Sequence, residues 1–345
     1  MDEIETLIFR TDRIGDFIIS CPFIKSYKNK FNKIPITIIS SEYNYNYVNK
    51  FDFIEKTIPL KLGVKLFPKL IILFKMIIKL RKNKYKHIII LDGKTRSFFI
   101  SFFLKGEKSI LLQSKKLKLF SKIFKYKYVV NHEIQSQLKN FSFLSNIIGF
   151  NITNKNPKIH TNIQSDNKFS FLNNYIILHL DEKWFSKLYY SDFTDISPET
   201  NDLDFLIKKI SKSIDQNLDI VVTSGKKKIK SLIEFTSNFE TSDNFIYKKK
   251  ITNQKVIFFD SLSIDELTHL VSCSKLVICC EGAISHLSYN FSIPTLALYE
   301  KKRLQHTNFW TSHMNNISLY ERKKINDLLI DNNFFNEIKK LINIK

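Results

Sequence analysis

Cysteines and long apolar runs are scarce in this chain of 345 residues, and each scarcity excludes a class of protein. The four cysteines are too few for a disulfide scaffold, and they form no CxxC pair that would suggest zinc or redox chemistry. Two of them, Cys279 and Cys280, lie in an apolar run, so we expect reduced core thiols in a cytoplasmic protein. The apolar run at residues 70–80 is interrupted by Lys75 and Lys79, whereas a membrane-spanning helix needs about 20 mostly apolar residues. We expect no transmembrane segment, and no secretory signal because the first residues are acidic.

Glycine and arginine are also rare, so the positions that they occupy are informative. The chain has only seven glycines, and six of its 54 basic residues are arginine. Two of these arginines, Arg10 and Arg13, precede Gly15 at the end of a predicted strand. Four of the glycines follow predicted strands, where a missing side chain allows either a tight turn or the close approach of a phosphate.

Hydrophobic content of 43% and charged content of 25% are typical of a folded globular protein. Short β-branched runs alternate with helical patterns, which predicts an α/β protein with parallel sheets and crossover helices. The length suggests two domains. We predict an N-terminal domain over 1–160, a C-terminal domain over 161–325 and a final helix over 326–345, with a linker in the Asn-rich segment 151–174. The predicted strands are Ile4–Phe9, Ile34–Ser40, His87–Leu91, Tyr126–Val130, Tyr175–Leu180, Asp219–Thr223, Lys255–Phe259, Leu276–Cys280 and Pro294–Tyr299. The predicted helices include Asp16–Lys30, Phe67–Lys82, Ile134–Ile148, Asp202–Ser213, Ser263–Ser272 and Ile325–Ile344.

Two segments combine a strand, a turn with charged or small residues, and a helix. The first is LIFRTDRIGDFIISCPFIKSYK at residues 7–28, where Asp16 begins the helix, either as a functional carboxylate or as an N-terminal cap. The second is SKLVICCEGAISHLSYNFSIPTLALYE at residues 274–300, whose Gly282 precedes a helix N-terminus that could bind an anion. His286 of that helix either donates to a phosphate or packs in the core.

Together these segments resemble the glycosyltransferase family that contains the lipopolysaccharide heptosyltransferases. RTDRIGDFIISCPFI is similar to the family's first strand–turn–helix, and CEGAISHLSYNFSIPTLALY is similar to its C-terminal acidic–small–Gly–x–x–His–Leu motif. Intermediate stretches fit in the same order: YKHIIILDGKTRS, HLDEKWF, VVTSG and FFDSLSIDELTHLVSCSKLVICC. The resemblance spans nearly the whole chain. It implies a GT-B fold, with two Rossmann-like, doubly wound domains facing a central cleft and the donor bound mainly by the second domain.

The resemblance also implies an inverting reaction that needs no metal and no cofactor, with a nucleotide-diphosphate sugar as donor. The family's proposed base corresponds to Asp16, and Arg10 and Arg13 are then candidates for binding acceptor or phosphate. The implied donor-binding residues are Lys183, Ser224, Gly225, Glu281, Gly282, Ala283 and His286. Glu281 replaces the family's usual Asp, Ala283 stands at its Gly, and Lys226–Lys228 follow the TSG turn where an acidic residue is common.

The residues themselves agree with glycosyl transfer. The reaction needs a base for the acceptor hydroxyl and stabilisation of a departing diphosphate, for which one carboxylate, cations and helix N-termini suffice. The sequence has no HxxxH cluster to ligate a metal. A glycosidase would need a second carboxylate facing the first, and Asp12 is too near Asp16 in sequence to be assigned that part.

Most of the net charge of +21 comes from one region. Residues 61–130 contain 19 Lys and Arg but only two acidic residues, a net charge of +17. Lys75, Lys79 and Lys82 share a stripe of a largely apolar helix, which predicts peripheral binding to the cytoplasmic face of the inner membrane. The alternatives are solvated faces without a partner and nucleic-acid binding, which is disfavoured because no recognised motif is present and arginines are few.

The sequence therefore predicts a glycosyltransferase that moves a sugar, first of all heptose from ADP-heptose, onto a lipopolysaccharide core or related anionic surface glycan. One alternative is the same fold with another nucleotide sugar. The other is a non-catalytic protein that binds a sugar nucleotide or a membrane surface.

Overall fold

The structure is a computed structural model that describes most of the chain. The described residues are 4–61, 66–112, 118–131, 135–153, 167–184, 200–215, 217–225, 229–237, 239–243, 246–251 and 254–343. The chain divides into two compact units. Unit 1 comprises Met1–Asn162 with Asn308–His313, and unit 2 comprises Ile163–Thr307 with Met314–Lys345.

Unit 1 contains a parallel sheet of six strands in the order β3-β2-β1-β4-β5-β6. The strands are β1 (Ile4–Arg10), β2 (Ile36–Ser41), β3 (Lys56–Leu60), β4 (Lys84–Ile90), β5 (Glu107–Leu112) and β6 (Lys127–Val130). β1 pairs with β2 on one side and β4 on the other, so its apolar residues Leu7, Ile8 and Phe9 are fully buried. This strand order is the doubly wound arrangement in which ligands bind at the carboxyl ends of the central strands.

Each strand of this sheet is followed in the chain by one described helix. The helices are α1 (Ile14–Lys30), α2 (Tyr45–Val48), α3 (Leu66–Leu80), α4 (Thr95–Phe102), α5 (Lys118–Ile123) and α6 (Gln137–Ile148), of which α6 follows the last strand. α6 begins after the N-cap Ser136, whose hydroxyl accepts from the Lys139 N–H at 3.3 Å, and it ends at Gly149, which has a φ of 99°. α3 ends at Leu80, so Lys82 lies beyond the helix, which corrects its predicted end.

Unit 2 contains an eight-stranded sheet in the order β14-β13-β12-β7-β8-β11-β10-β9. The strands are β7 (Tyr175–Leu180), β8 (Asp219–Ser224), β9 (Glu240–Asp243), β10 (Ile246–Ile251), β11 (Gln254–Phe259), β12 (Val277–Cys280), β13 (Thr295–Tyr299) and β14 (Ile317–Glu321). The pairs from β14 to β11 are parallel, whereas β10 is antiparallel to both of its neighbours. The carboxyl ends of β7, β8, β11 and β12 therefore share one edge of the sheet.

The other seven helices among the described residues belong to unit 2, except that residues 308–311 of α11 belong to unit 1. They are α7 (Thr200–Ser213), α8 (Lys230–Thr236), α9 (Ile264–Cys273), α10 (Ala283–Asn290), α11 (Leu304–Thr311), α12 (Ile325–Leu329) and α13 (Asn332–Ile342). The single helix predicted over 325–344 is wrong, because Asp331 starts a second helix by accepting the Asn333 N–H at 3.2 Å. None of the described helices reaches the length and hydropathy that a bilayer-spanning segment requires.

The predicted fold class is confirmed, since two units with mainly parallel sheets alternate strands and helices in chain order. All nine predicted strands are present, and the structure adds β3, β5, β9, β10 and β14. Cys279 and Cys280 are buried free thiols of β12. Of the predicted linker, residues 154–166 lie outside the described part of the chain, and Asn167–Phe169 form a short 3-10 turn.

Candidate functional site

Arg10 closes strand β1, and its guanidinium is buried at 1% exposure. Its Nε donates to the carbonyl oxygen of Asp16 at 2.8 Å, and its Nη1 donates to the carbonyl oxygen of Leu91 at 2.9 Å. The same nitrogen lies 3.1 Å from Asp12 Oδ2. Arg10 therefore ties the end of β1 to the first turn of α1 and to the end of β4. These contacts argue against the expectation that Arg10 binds an acceptor phosphate, because its donors are engaged inside unit 1.

Asp12 follows Arg10 and has an unusual environment for a carboxyl group. Its side chain is 9% exposed, and its Oδ1 atom is buried without a hydrogen-bond partner. Burial raises the pKa of Asp12 to about 7; Arg10 and Lys94 oppose the rise, while Asp16 and Asp92 add to it. A carboxyl group with this pKa changes its charge near neutral pH. The sequence predicts a role for Asp16 but none for Asp12.

Asp16 lies in the first turn of α1 and is partly exposed. Its Oδ2 accepts the backbone N–H of Arg13 at 3.0 Å, which is the capping contact that the sequence offers as one interpretation. A carboxylate can accept further hydrogen bonds while it caps a helix. The role of Asp16 as a base stays a prediction. The side chain of Arg13 is exposed, so it is the arginine of this turn that a ligand can reach.

The turn after β4 is hydrogen-bonded to the turn after β1. Asp92 is fully buried and accepts from the hydroxyls of Thr11 at 2.5 Å and Ser97 at 2.7 Å. Arg96 donates from Nη2 to Thr11 Oγ1 at 2.7 Å and to the Thr11 carbonyl oxygen at 3.1 Å. Arg96 is partly exposed at the carboxyl edge of the sheet. The stretch YKHIIILDGKTRS is similar to the family in sequence, but the sequence alone indicates no role for Asp92 or Arg96.

In unit 2, Lys183 lies between the carboxyl ends of β7 and β12. Its Nζ donates to the carbonyl oxygen of Glu281, and its backbone N–H donates to Asp181 Oδ1 at 3.1 Å. Burial lowers the pKa of Lys183, but the negative charges of Asp181 and Glu281 outweigh burial, and the pKa is raised. The side chain is therefore a fixed ammonium group. Burial raises the pKa of Asp181 to about 6, although Lys183 lowers it.

Gly282 allows the lysine to take this position. A Cβ built at residue 282 would collide with Lys183 Nζ. The φ of Gly282 is 161°, which any residue can adopt, so a side chain at this position would displace the flexible end of Lys183 and would not strain the backbone. From the sequence, we expect Gly282 to allow the close approach of a ligand. In the structure, the side chain of Lys183 also approaches this glycine.

The turn that carries Lys183 is anchored by its neighbours. Trp184 is buried at 3% exposure, and its Nε1 donates to the carbonyl oxygen of His179 at 2.9 Å. His179 Nδ1 lies 2.8 Å from Thr223 Oγ1, and burial lowers the pKa of His179 to about 4. The ring is thus neutral near pH 7 and serves to join β7 to β8.

Ser224 and Gly225 end strand β8 beside this turn. A Cβ at Gly225 would lie 3.2 Å from Asp181 Cβ, so the glycine lets the two strand ends pack closely. Ser224 Oγ donates to Asp260 Oδ1 at 2.7 Å and accepts the Ser261 N–H at 2.9 Å. Asp260 therefore stands at the carboxyl end of β11, next to β8. Sequence reasoning missed Asp260, since it is separated from Ser224 by 36 residues.

Helix α10 begins at Ala283 after the N-cap Gly282, as the sequence predicts. Ser285 Oγ accepts the Gly282 N–H at 3.2 Å and donates to the Gly282 carbonyl oxygen at 2.7 Å, which closes the first turn. His286 is 5% exposed in this helix. Its role in binding phosphate stays a prediction. Arg322, 4% exposed after β14, is a further cation whose charge lowers the pKa of Asp181.

The described residues contain no group of three or more His, Cys, Asp or Glu side chains that could hold a metal ion. The structure assigns the predicted site residues to two sets. Unit 1 holds Arg10, Arg13 and Asp16, together with Lys75, Lys79 and Lys82. Unit 2 holds the predicted donor residues, and within it Lys183, Glu281, Gly282 and Ala283 lie together at the start of α10, with Ser224 and Gly225 along the same strand edge.

Residues 212–334 match the model of glycosyltransferase family 9 (heptosyltransferase). No curated protein sequence matches the chain significantly. Among solved structures, Escherichia coli heptosyltransferase WaaC with ADP-2-deoxy-2-fluoro heptose is 12% identical and has a TM-score of 0.69, with 98% of this chain and 99% of that chain covered. E. coli ADP-heptose lps heptosyltransferase II is 12% identical with a TM-score of 0.66, and the match covers 98% of each chain. UDP-GlcNAc 2-epimerase from Methanocaldococcus jannaschii is 15% identical with a TM-score of 0.59, covering 99% of this chain and 94% of that chain.

These findings confirm the resemblance that the sequence indicates. The family match includes the Ser224, Asp260, Glu281 and His286 positions, and it supports glycosyltransferase activity. At 12–15% identity the solved structures show the fold alone, and that fold is the predicted GT-B arrangement of two Rossmann-like domains.

Proposed function

We propose that this chain is an inverting glycosyltransferase that needs no metal ion and transfers a sugar from a nucleotide diphosphate, with ADP-heptose as the first candidate. The proposed acceptor is an anionic glycan of the lipopolysaccharide core or a related surface glycan. The observation that carries the proposal is the fixed ammonium of Lys183 at the start of α10, next to the part of the chain that matches family 9.

The donor half of the reaction requires a place for negative charge. When the sugar leaves, the electron pair of its C1–O bond goes to the distal phosphate oxygen, so charge grows on the nucleoside diphosphate. A pre-oriented ammonium and a helix N-terminus stabilise such charge without reorganising. Lys183 and the first turn of α10 supply both, and His286 is proposed to donate to the same diphosphate.

The acceptor half requires a base. The acceptor hydroxyl oxygen forms a bond to C1 on the face opposite the departing phosphate, which inverts the configuration, and its proton goes to a carboxylate. We assign this carboxylate to Asp16, which is partly exposed in the first turn of α1. Arg13 and Arg96 are proposed to bind phosphate groups of the acceptor, because both side chains reach the surface near this turn.

The donor class has support from the solved structures. Those three proteins are bound to or named for ADP-2-deoxy-2-fluoro heptose, ADP-heptose and UDP-GlcNAc, all of which are nucleotide-diphosphate sugars or analogues. We propose that the protein works in the cytoplasm and binds peripherally at the inner membrane, where a lipid-linked acceptor is made accessible. The exposed Lys75, Lys79 and Lys82 support membrane association.

The test is a donor panel with two readouts. Thermal unfolding is followed with ADP, UDP, GDP and CMP sugars, and each donor that binds is then offered with deacylated lipopolysaccharide core fragments in a transfer assay. Binding and transfer with ADP-heptose support the proposal. Transfer only with another nucleotide sugar supports the same fold with a different donor. Binding of a donor without turnover on any acceptor supports a non-catalytic binding protein and contradicts the proposal.

A further inference from the structure

Over residues 70–80 of helix α3, whose side chains the structure describes, two apolar faces lie side by side, one buried and one exposed. Leu73, Met76, Ile77 and Leu80 pack onto the sheet of unit 1 as part of its core. The next strip of the helix surface, at about 100° per residue, is apolar as well but faces outward. It contains Leu70 at 42% exposure, Ile71 at 44%, Phe74 at 51% and Ile78 at 63%. A helix with solvent on its outer face normally carries polar residues there.

The segment of α5 continues this exposed apolar surface. Leu119 is 65% exposed, Phe120 51% and Ile123 60%, and Phe124 directly after the helix is 39% exposed. Only Ser121 is buried in this helix. A short helix that buries so little and exposes three large apolar side chains is not explained by the core of unit 1.

Ring contacts join the two helices through α4 into one surface. Phe74 of α3 meets Phe99 at 6.2 Å between ring centroids, and Phe99 meets Phe103 at 5.2 Å. Phe103 then meets Phe102 at 5.1 Å, and Phe102 meets Phe124 at 4.6 Å. The row of rings runs continuously from α3 to the end of α5. The α3–α5 surface is defined here by its exposed members Leu70, Ile71, Phe74, Ile78, Phe102, Leu119, Phe120, Ile123 and Phe124.

Lysines border this surface. Lys75 and Lys79 follow the apolar strip around α3, and Lys118, Lys122 and Lys125 lie in or next to α5; all five are exposed. None of the ion pairs found among the described residues involves any of the five. They belong to the region of residues 61–130 in which 19 basic residues stand against two acidic ones.

We propose that the α3–α5 surface is a bilayer-inserting surface, whose apolar side chains enter the interface of an anionic membrane while the bordering lysines contact its headgroups. Exposed apolar patches of this extent mark interaction sites, and the charge decides between occupants. A polyanion such as nucleic acid would pair with the lysines but leave the apolar side chains in water. An anionic bilayer pairs with the lysines through its negative headgroups and buries the apolar side chains in its interior.

The inference deepens the proposed membrane association, on which it rests, by naming a second helix and an apolar contribution. Charge alone predicts binding that salt abolishes, because screening shortens the reach of each lysine to about 8 Å at physiological ionic strength. An inserted apolar surface predicts residual binding at high salt. The donor chemistry of unit 2 plays no part in it, so the two proposals fail separately.

Vesicle co-sedimentation of the full chain tests the inference. The variant Phe74→Ser/Ile78→Ser/Phe120→Ser removes apolar contacts, and Lys75→Gln/Lys79→Gln/Lys122→Gln removes charge. The matched controls are Phe205→Ser/Ile233→Ser/Ile330→Ser and Lys208→Gln/Lys212→Gln/Lys275→Gln, all on exposed positions of unit 2. Thermal unfolding checks that each variant is folded, and transfer to a soluble acceptor checks that the active site is intact.

The expected result is tighter binding of the parent to vesicles with 30% phosphatidylglycerol than to pure phosphatidylcholine vesicles. The lysine variant should lose about fivefold in affinity per lysine, the apolar variant at least tenfold, and the two controls less than twofold. The apolar variant should also lose the binding that the parent retains in 1 M salt. Equal binding of the apolar variant and its control would overturn the inference.

Tryptophan fluorescence distinguishes insertion into the bilayer from contact with its headgroups. Phe120→Trp places a fluorescent side chain in the α3–α5 surface, and Phe205→Trp places one in unit 2 as the control. On anionic vesicles the emission of the Phe120→Trp variant should shift to shorter wavelength and be quenched by brominated acyl chains, and the control should not change. No shift at residue 120 overturns the inference, as does a concentration-dependent dimer that the apolar variant abolishes, because a second copy would then cover the surface. Vesicle binding without transferase activity would leave the inference standing and remove only the proposed function.

Discussion

Lys183 reaches across Gly282 to donate to the carbonyl oxygen of Glu281, and the absence of a side chain at residue 282 makes this reach possible. The two residues are separated by about a hundred positions in the chain, yet they meet where β7 and β12 end side by side. Gly282 thus leaves room for the Lys183 ammonium and also leaves the N-terminus of α10 accessible. This relationship makes the donor site testable by paired substitutions.

Gly282→Ala should displace the Lys183 ammonium without changing the backbone, because the φ of residue 282 suits any amino acid. We expect kcat/KM for the donor to fall about 10- to 100-fold, the value of one hydrogen bond to a charged group. Lys183→Met should cost a similar amount. In the double variant the two losses should not add, since both remove the same contact. Additive losses in a kinetic double-mutant cycle would show that Gly282 acts independently of Lys183.

Asp16→Asn should lower turnover by about 10²-fold or more while donor affinity stays within twofold, because asparagine cannot accept the acceptor proton. The amide oxygen can still accept the Arg13 N–H, so the cap of α1 should survive. Steady-state kinetics with a saturating donor measure kcat, and calorimetric titration measures donor binding. Near-parental kcat would remove Asp16 from the role of base.

Asp12 should make stability depend on pH. The folded-state pKa of about 7 lies above the reference value of 3.8, so the folded protein binds more protons than the unfolded one between these values. The stabilising contribution is complete below about pH 4 and is lost as pH rises to about 7. The groups that face Asp12 are Arg10, Asp16, Asp92 and Lys94.

The neutral variant Asp12→Asn should therefore match the parent below about pH 4 and gain roughly 4 kcal/mol relative to it by pH 7.5. Urea unfolding at a series of pH values measures this difference, and the comparison cancels the opposite trend from His179, whose pKa is lowered to about 4. Parallel curves for parent and variant across this range would show that Asp12 titrates at its ordinary pKa.

Asp260→Ala should raise KM for the donor about tenfold and leave kcat nearly unchanged. An acidic residue at the carboxyl end of a strand commonly accepts the hydroxyls of a ribose in Rossmann-like domains, and Ser224 and Ser261 hold Asp260 at such a position. Inorganic pyrophosphate has no ribose, so its inhibition constant as a competitive inhibitor should be the same for the variant and the parent. Equal weakening of nucleotide and pyrophosphate would assign Asp260 to folding of the strand edge.

The central strands were predictable because they are buried on both faces and read as continuous apolar runs, as in Ile176–Leu178 and Val277–Cys280. β10, whose sequence is IYKKKI, escaped prediction because it pairs antiparallel near the edge of the sheet and is half polar. β3 escaped as well, since it contains Pro59 and lies at the other sheet's edge.

The candidate site was predictable where a motif is local and not where it depends on distant pairing. Asp16 and Gly282 stand inside short strand–turn–helix segments, which a sequence displays directly. Asp181 and Asp260 each follow a strand alone, and their significance comes from Lys183 and Ser224 on neighbouring elements. The burial that raises the pKa of Asp12 is likewise a property of packing, which its position in the chain does not reveal.

The most direct test of the central claim is the anomeric configuration of the product formed from ADP-heptose and a deacylated core acceptor in the presence of EDTA, determined by proton NMR. The account predicts a glycoside with the configuration inverted from that of the donor, formed at the same rate with and without the chelator, and none with Asp16→Asn above about 1% of the parental rate. A product with retained configuration, or a rate that disappears with EDTA and returns with magnesium or manganese, would contradict it.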